Sequence, residues 1–252
     1  METGSWGSRE LSIPSSPRFP YAPTMQLSIA LPCFNEEANL PSTIADVDGW
    51  MTRQHIEGEI IAVNDGSVDG TRRVLEELAA RFPRLRAITH DRNRGYGAAV
   101  RSGCDAATTE WIGFMDSDGQ FHADDFDKLL AQSAQAPLIV GRRRHRADPF
   151  LRKVNAKCFG FLTWIVLGVW IRDVNCAMKM YRRDLWQRIR PVHATGALFN
   201  AELFARARRS GARWKQVDVS HYPRTRGTQT GANPLVILRM FRELWVLYWS
   251  LH

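Results

Sequence analysis

The chain has 252 residues, 44% of them hydrophobic, which points to one large core rather than two independent ones. Its 34 Lys and Arg against 26 Asp and Glu leave a formal charge of +8, favouring anionic partners such as nucleotides, lipid phosphates, membrane surfaces or nucleic acids. Cys33, Cys104, Cys158 and Cys176 form no CxxC pair, which sets aside a zinc or disulfide framework in favour of free thiols in a reducing cytosol.

Residues 1–24 are rich in Ser, Pro and Gly and have no apolar signal-peptide stretch. They read as a flexible lead-in, and the expected location is cytoplasmic. From Leu27 short β-branched runs alternate with helical patterns. Strands are predicted at Leu27–Leu31, Glu59–Val63, Leu85–Thr89, Trp111–Met115 and Leu138–Gly141. Helices are predicted from about Leu40, after Asp69, from about Gly97 and after Ala123. This alternation builds an α/β domain with a mostly parallel sheet covered by helices. The turns Pro32–Glu37, Asn64–Gly70 and Asp116–Gln120 all follow strands, at the carboxyl edge where open α/β sheets bind ligands.

After Gly141 the texture changes. Arg142, Arg143, Arg144, Arg146, Arg152, Lys153 and Lys157 stand against one acid, Asp148, and the apolar run Cys158–Ile171 follows with Phe159, Phe161, Trp164 and Trp170. Cations beside a lipophilic helix suit a phosphate with a greasy tail or an anionic membrane; the alternative is a solvated basic loop ahead of a core helix. The run is shorter than the roughly 20 residues that span a bilayer, so no transmembrane segment is predicted. In Pro234–His252, Arg239, Arg242, Glu243 and Ser250 share one helical face, and the remaining wide apolar arc wants the domain's own sheet or lipid to cover it.

The acidic turns carry the chemistry. Asp116 and Asp118 project to the same side of an extended backbone and repel each other unless a cation lies between them. That spacing suggests Mg²⁺ or Mn²⁺ holding a diphosphate. Asp65 at a strand end can accept hydrogen bonds from a nucleobase or ribose, and Asp69 can cap the following helix. Glu36 suits a ribose hydroxyl or a helix start. Asn93-Arg94-Gly95-Tyr96-Gly97 imitates a dinucleotide loop, but Val100 replaces its third glycine, leaving a glycine turn into a helix near the diphosphate.

In order, PCFNEE, VNDGSVDGT, NRGYGAAVRSG and FMDSDGQF resemble the family 2 glycosyltransferases of GT-A fold, with their P-x-[YF]-N-E start, D-G-S-x-D-G-T turn and D-x-D metal motif. The resemblance runs from about Leu27 to Asn233. Within the family it points to the dolichyl-phosphate mannosyltransferase branch, on Gly141-Arg142, the cationic segment entering an apolar helix, Asp173–Lys179, and Arg224 ahead of Gly227. It implies an inverting, metal-dependent transfer of a hexose, mannose or glucose, from a GDP- or UDP-sugar to polyprenyl phosphate. The enzyme would sit peripherally at the cytoplasmic membrane face, with no nucleic-acid partner. A GT-A domain over residues 25–222 would include a basic loop and apolar acceptor helix at 142–172, followed by a C-terminal loop and amphipathic helix at 223–252.

Carried over by position, the resemblance places Pro32, Phe34, Glu36 and Val63 around the nucleoside and gives Asp65 the base. Asp116, Ser117 and Asp118 would meet the ribose and diphosphate, with Asp118 and Gln120 as direct metal ligands. Arg142 and Arg224 would clamp donor or acceptor phosphate and, with Asp118, carry catalysis; Arg152 or Lys153 would receive the lipid phosphate. Two departures stand out: Thr230 where that branch has a lysine, with Arg226 as a substitute, and Asn175-Cys176-Ala177-Met178-Lys179 in place of an S-G-F-R-like stretch. A phosphate acceptor needs no protein base, whereas a hydroxyl acceptor does. Asp173 is the candidate base, with a role as a cap or arginine partner favoured; His221 is a candidate metal ligand, with a surface or core role favoured. A saccharide or small-metabolite hydroxyl acceptor and a non-catalytic nucleotide-sugar binder are the alternatives, and the absence of a Q-x-x-R-W motif disfavours processive polysaccharide synthesis.

Overall fold

The computed structural model describes residues 25–144, 160–161, 163–194, 196, 198–224 and 247–249. In chain order these form β1 (Leu27–Cys33), α1 (Leu40–Arg53), β2 (Ile60–Asn64), α2 (Thr71–Arg81), β3 (Leu85–Thr89), α3 (Tyr96–Ala106) and β4 (Trp111–Phe114). A 3-10 turn, Ala123–Asp125, leads into α4 (Phe126–Leu130), and β5 (Leu138–Arg143), β6 (Lys179–Arg182), α5 (Arg183–Ile189), α6 (Phe199–Arg209) and β7 (Trp214–Val219) complete the series. Residues 163–167 are also helical.

The strands make one seven-stranded sheet in the order β3-β2-β1-β4-β6-β5-β7. All are parallel except β6, which runs antiparallel to both β4 and β5. β1 and β2 are buried along their whole length, as expected of continuous apolar runs in a sheet covered on both faces. α3 packs closely on them because Gly103 lacks a side chain: a Cβ there would lie 2.8 Å from Ala30 and 3.2 Å from Val63. Gly97 likewise lets α3 approach α6, where a Cβ would lie 2.8 Å from Phe199.

The predicted strands all form, with two consequential extensions. β1 continues past Leu31 through Pro32 to Cys33, and β5 continues past Gly141 through Arg143, so Pro32, Arg142 and Arg143 are strand residues. β6, α5, α6 and β7 were not anticipated. The register Cys33↔Asn64 brings the ends of β1 and β2 level, so the loops after them meet at the carboxyl edge.

Several expectations lie outside the described residues: the lead-in at 1–24, Arg146 to Phe159 with Arg152 and Lys153, and Arg226, Gly227 and Thr230. Of the final amphipathic segment only Leu247–Trp249 are described, helical and with Leu247 buried. Among the described residues no helix is long and apolar enough to cross a membrane.

Candidate active site

The first two motifs are knitted into one wall. Asn35 sits at φ 56°, a left-handed turn that asparagine tolerates. Its amide donates to Ser67 Oγ (3.0 Å) and its Oδ1 accepts from the Val68 amide (3.0 Å). Glu36 N donates to Thr71 Oγ1 at 2.9 Å, and Glu37 Oε2 accepts from Gly70 N at 2.8 Å. Asp69 Oδ1 accepts from Thr71 N at 3.0 Å, a turn bond ahead of α2, whose cap position is taken by Gly70 and not by Asp69 as expected. Phe34 stays 37% exposed on this wall, a free apolar face beside an otherwise hydrogen-bonded turn.

Asp65 is held by the segment that leads into α3. Its Oδ1 accepts from Arg94 N (2.9 Å) and lies 2.7 Å from His90 Nδ1, while Oδ2 accepts from Gly95 N (2.8 Å). At 2% exposure the carboxylate is spent on the glycine turn that opens α3, where backbone amides favour an anion. Asp65 thus ties the end of β2 to the glycine turn ahead of α3. Val63 is wholly buried near the end of β2, packed against Gly103. The Ser117 hydroxyl donates to the Pro32 carbonyl at 2.7 Å, binding the end of β1 to the acidic turn.

That turn meets a charge cluster assembled from distant parts of the chain. Asp118 Oδ1 accepts from Gln120 N (3.1 Å), and Oδ2 lies 3.4 Å from Arg224 Nη1. Arg224 Nη2 donates to Glu36 Oε1 at 2.6 Å, and Asn39 Nδ2 donates to Glu36 Oε2 at 2.6 Å. Burial, opposed by the bonds from Asn39 and Arg224, raises the Glu36 pKa. Arg224 reaches the site because the segment after β7 is pinned. Gln120 Nε2 donates to the Tyr222 carbonyl and Tyr222 N donates back to the Gln120 carbonyl, each at 3.0 Å. Ser220 N donates to Asp125 Oδ2 at 2.7 Å.

Asp116 lies deeper, beside Tyr96. Burial and then the like charge of Asp118 push its pKa up to about 7, against the pull of Tyr96, Arg143 and Lys179. The repulsion inferred from the spacing is thus present. Asp116 Oδ1 is buried with no hydrogen-bond partner, and the bond from Gln120 Nε2 leaves that amide's oxygen as an acceptor. These groups and Asp118 form an all-oxygen donor set suited to a hard divalent cation. Among the described residues no three His, Cys, Asp or Glu side chains gather into a self-sufficient metal site. A cation held here therefore needs further oxygens from its ligand, as Mg²⁺ commonly takes from phosphates. His221 packs edge-on against Phe121 with ring centroids 5.3 Å apart.

The opposite wall comes from β5, β6 and the turn before β6. Arg142 pairs with Asp218, its register partner on β7, at 2.6 Å, so the guanidinium assigned to phosphate is held at the sheet's edge. Its neighbour Arg143, not singled out from the sequence as a site residue, donates Nε and Nη2 to the two oxygens of Asp173 at 2.8 and 2.7 Å. Both side chains are buried, and Asp173 takes the favoured role of arginine partner. Lys179, also not singled out, is fully buried: its amine donates to the carbonyls of Val174 (3.3 Å) and Cys176 and lies over the rings of Phe114 and Phe204. Burial lowers its pKa to about 8. The usable signal for Arg143 was alternation, since consecutive arginines in a strand point to opposite faces.

Beyond this wall the apolar run surfaces. Phe161, Trp164, Ile165 and Trp170 are exposed, and Trp164 contacts Phe161 and Trp170 with ring centroids 5.8 and 5.4 Å apart. Arg208 of α6 anchors the segment by donating to the Leu167 carbonyl at 3.2 Å.

Comparison with known proteins places this geometry. The chain is 31% identical over 171 residues to a dodecaprenyl-phosphate galacturonate synthase of Rhizobium johnstonii, covering 66% of this chain and 51% of that protein. It is 28% identical over 216 residues to a dolichyl-phosphate beta-glucosyltransferase of Trichomonas vaginalis, covering 78% and 66%. The chain thus spans about half to two thirds of the length of these relatives. Among solved structures it is similar to glucosyl-3-phosphoglycerate synthase from Mycobacterium tuberculosis in complex with Mn²⁺, UDP and glucosyl-3-phosphoglycerate, with a TM-score of 0.67, 20% identity and coverage of 90% and 80%. It is also similar to mannosyl-3-phosphoglycerate synthase from Rubrobacter xylanophilus, with a TM-score of 0.62, 17% identity and coverage of 88% and 72%. These neighbours share the GT-A arrangement expected from the motifs. The profile of Glycosyl transferase family 2 matches residues 28–190, and the chain belongs to that family.

Proposed function

We propose that this protein transfers a hexose from a nucleotide sugar to a polyprenyl phosphate, in one inverting step at a membrane surface. The observation that carries the reading is the junction of Glu36, Asp118 and Arg224 beside Asp116, in a protein that also exposes a cluster of aromatic side chains. An oxygen-lined cation site with an arginine suits a diphosphate, and an aromatic surface suits the acyl and headgroup boundary where a polyprenyl chain is embedded. The relatives in Rhizobium johnstonii and Trichomonas vaginalis carry polyprenyl-phosphate transfer in their names, which supports the acceptor class.

In this reading Phe34 offers its exposed face to the base, and Glu36 and Asp116 face the nucleoside and diphosphate. Asp118 and Gln120, with Asp116 beside them, hold Mg²⁺ or Mn²⁺, the ions found with UDP in the Mycobacterium tuberculosis structures. The bound metal neutralises charge on the departing nucleoside diphosphate. Arg224 adds a second positive charge on the same side. The acceptor phosphate is anionic near neutral pH and attacks without a protein base, consistent with Asp173 being tied to Arg143. Arg152 and Lys153, with Arg142 near the rim, are the candidate cations for the lipid phosphate, and GDP- and UDP-hexoses are the candidate donors.

The test is transfer itself. The protein is offered a panel of labelled GDP- and UDP-hexoses with polyprenyl phosphate in detergent, and label is followed into organic solvent. Lipid-soluble product is expected with one donor; nucleoside diphosphate released while the label stays aqueous overturns the acceptor. Asp118→Asn is expected to lower turnover by about 10²-fold or more, the scale of losing a principal charge-stabilising group.

A further inference from the structure

We propose that Arg224 is a placeholder for the catalytic cation: it occupies Asp118 in the nucleotide-free protein and transfers to the diphosphate when metal and nucleotide arrive together. This deepens the proposed function and rests on its assignment of Asp118 as a metal ligand. One guanidinium lies between two carboxylates, 2.6 Å from Glu36 and 3.4 Å from Asp118, and all three side chains are largely buried, at 14, 9 and 14% exposure for Arg224, Glu36 and Asp118. In so dry a pocket, an uncompensated carboxylate is costly, and an arginine is the cation that neutralises it at any working pH.

A divalent ion on Asp118 would sit at a metal–oxygen distance of roughly 2.1 Å. That places two further positive charges beside the guanidinium, and like charges in a poorly solvated site repel strongly. Metal alone must therefore displace Arg224 to bind. A metal diphosphate brings its own negative charge and gives both cations a partner, so the conflict disappears. The exchange needs only the side chain to move, because the backbone of this segment is fixed by the paired Tyr222–Gln120 bonds and by Ser220 to Asp125. Glu36 provides the second resting point. The consequence is obligatory synergy: metal and nucleotide each strengthen the other's binding, with Arg224 as the coupling element.

The experiment is calorimetric titration of the full chain with Mn²⁺ alone, with UDP or GDP alone, and with each nucleotide in saturating Mn²⁺, supported by electron paramagnetic resonance of free Mn²⁺. Arg224→Gln is expected to bind Mn²⁺ alone about five- to tenfold more tightly than the parent while binding nucleotide in Mn²⁺ less tightly, so the synergy shrinks. Arg224→Lys, which keeps the charge, is expected to stay near the parent for Mn²⁺ alone. Glu36→Gln removes the arginine's other partner and is expected to weaken Mn²⁺ binding, which keeps the test open should Arg224→Gln not fold. Unchanged or weaker Mn²⁺ binding by a folded Arg224→Gln overturns the placeholder role. Asp118→Asn separates the two ideas: if it leaves Mn²⁺ binding intact, the metal assignment itself fails, whereas loss of binding there with no gain in Arg224→Gln rejects only the placeholder.

Discussion

Arg143 and Asp173 are the residues whose loss the fold tolerates least among the site's charges. Their buried, two-pronged pair ties the end of β5 to the turn before β6, and removing one partner strands the other in a dry environment. Asp173→Asn is expected to cost about 3–5 kcal/mol, measured by denaturant unfolding, whereas the double change Arg143→Met with Asp173→Leu recovers much of that loss. Asp116 sets a different, pH-dependent cost. Its pKa rises from 3.8 to about 7 in the fold, so between those values the unfolded chain has given up a proton that the native protein keeps. Raising the pH through that window therefore favours unfolding, and the loss is complete above it. Asp116→Asn cannot ionise. In metal-free buffer its melting temperature relative to the parent is expected to climb across that window and then level off; a flat difference would contradict the raised pKa.

α3 carries more of the site than its sequence suggested. The turn leading into it holds Asp65 through the amides of Arg94 and Gly95, Tyr96 lies beside Asp116, and Gly97 permits contact with Phe199. Gly97→Ala pushes α3 away from α6 and is expected to cost about 1–3 kcal/mol by thermal or chemical denaturation, with weaker nucleotide binding because the same turn moves. The parallel half of the sheet was legible because Leu27–Cys33 and Ile60–Asn64 are buried runs bounded by turn residues. β6 was not: it is four residues long and begins with a charged lysine that is fully buried, against the usual solvation of that side chain. β7 hides for a related reason, since Lys215 and Asp218 interrupt its apolar pattern and Asp218 is committed to Arg142. At the site, the ordered motifs name Glu36, Asp118, Gln120 and Arg224, and the fold brings Glu36, Asp118 and Arg224 together. The bonds of Asp65 to the turn ahead of α3 and the full burial of Val63 were not legible, because sequence order shows which residues reach the edge but not which side chains hold that edge together.

At the scale of the molecule, a basic chain presents an exposed aromatic cluster. Phe161, Trp164 and Trp170 are exposed together, and aromatic side chains of this kind favour the membrane interface. Binding to vesicles containing anionic phospholipid is expected to exceed binding to neutral vesicles in cosedimentation, and to weaken as salt rises through the physiological range. Trp164→Ser combined with Trp170→Ser is expected to reduce vesicle binding severalfold while leaving Mn²⁺-dependent nucleotide binding unchanged, because neither ring belongs to the proposed nucleotide site.

The reversed direction of β6 has an evolutionary reading. β5 leaves the sheet at its carboxyl edge and β6 re-enters at that same edge, so the chain from Arg144 to Met178 begins and ends in neighbouring places. A segment closed in this way can be exchanged for another of different length or chemistry without disturbing the register of any strand. The parallel strands and the excursion between β5 and β6 are thus separable in construction: the order and register of the sheet do not depend on what that excursion contains.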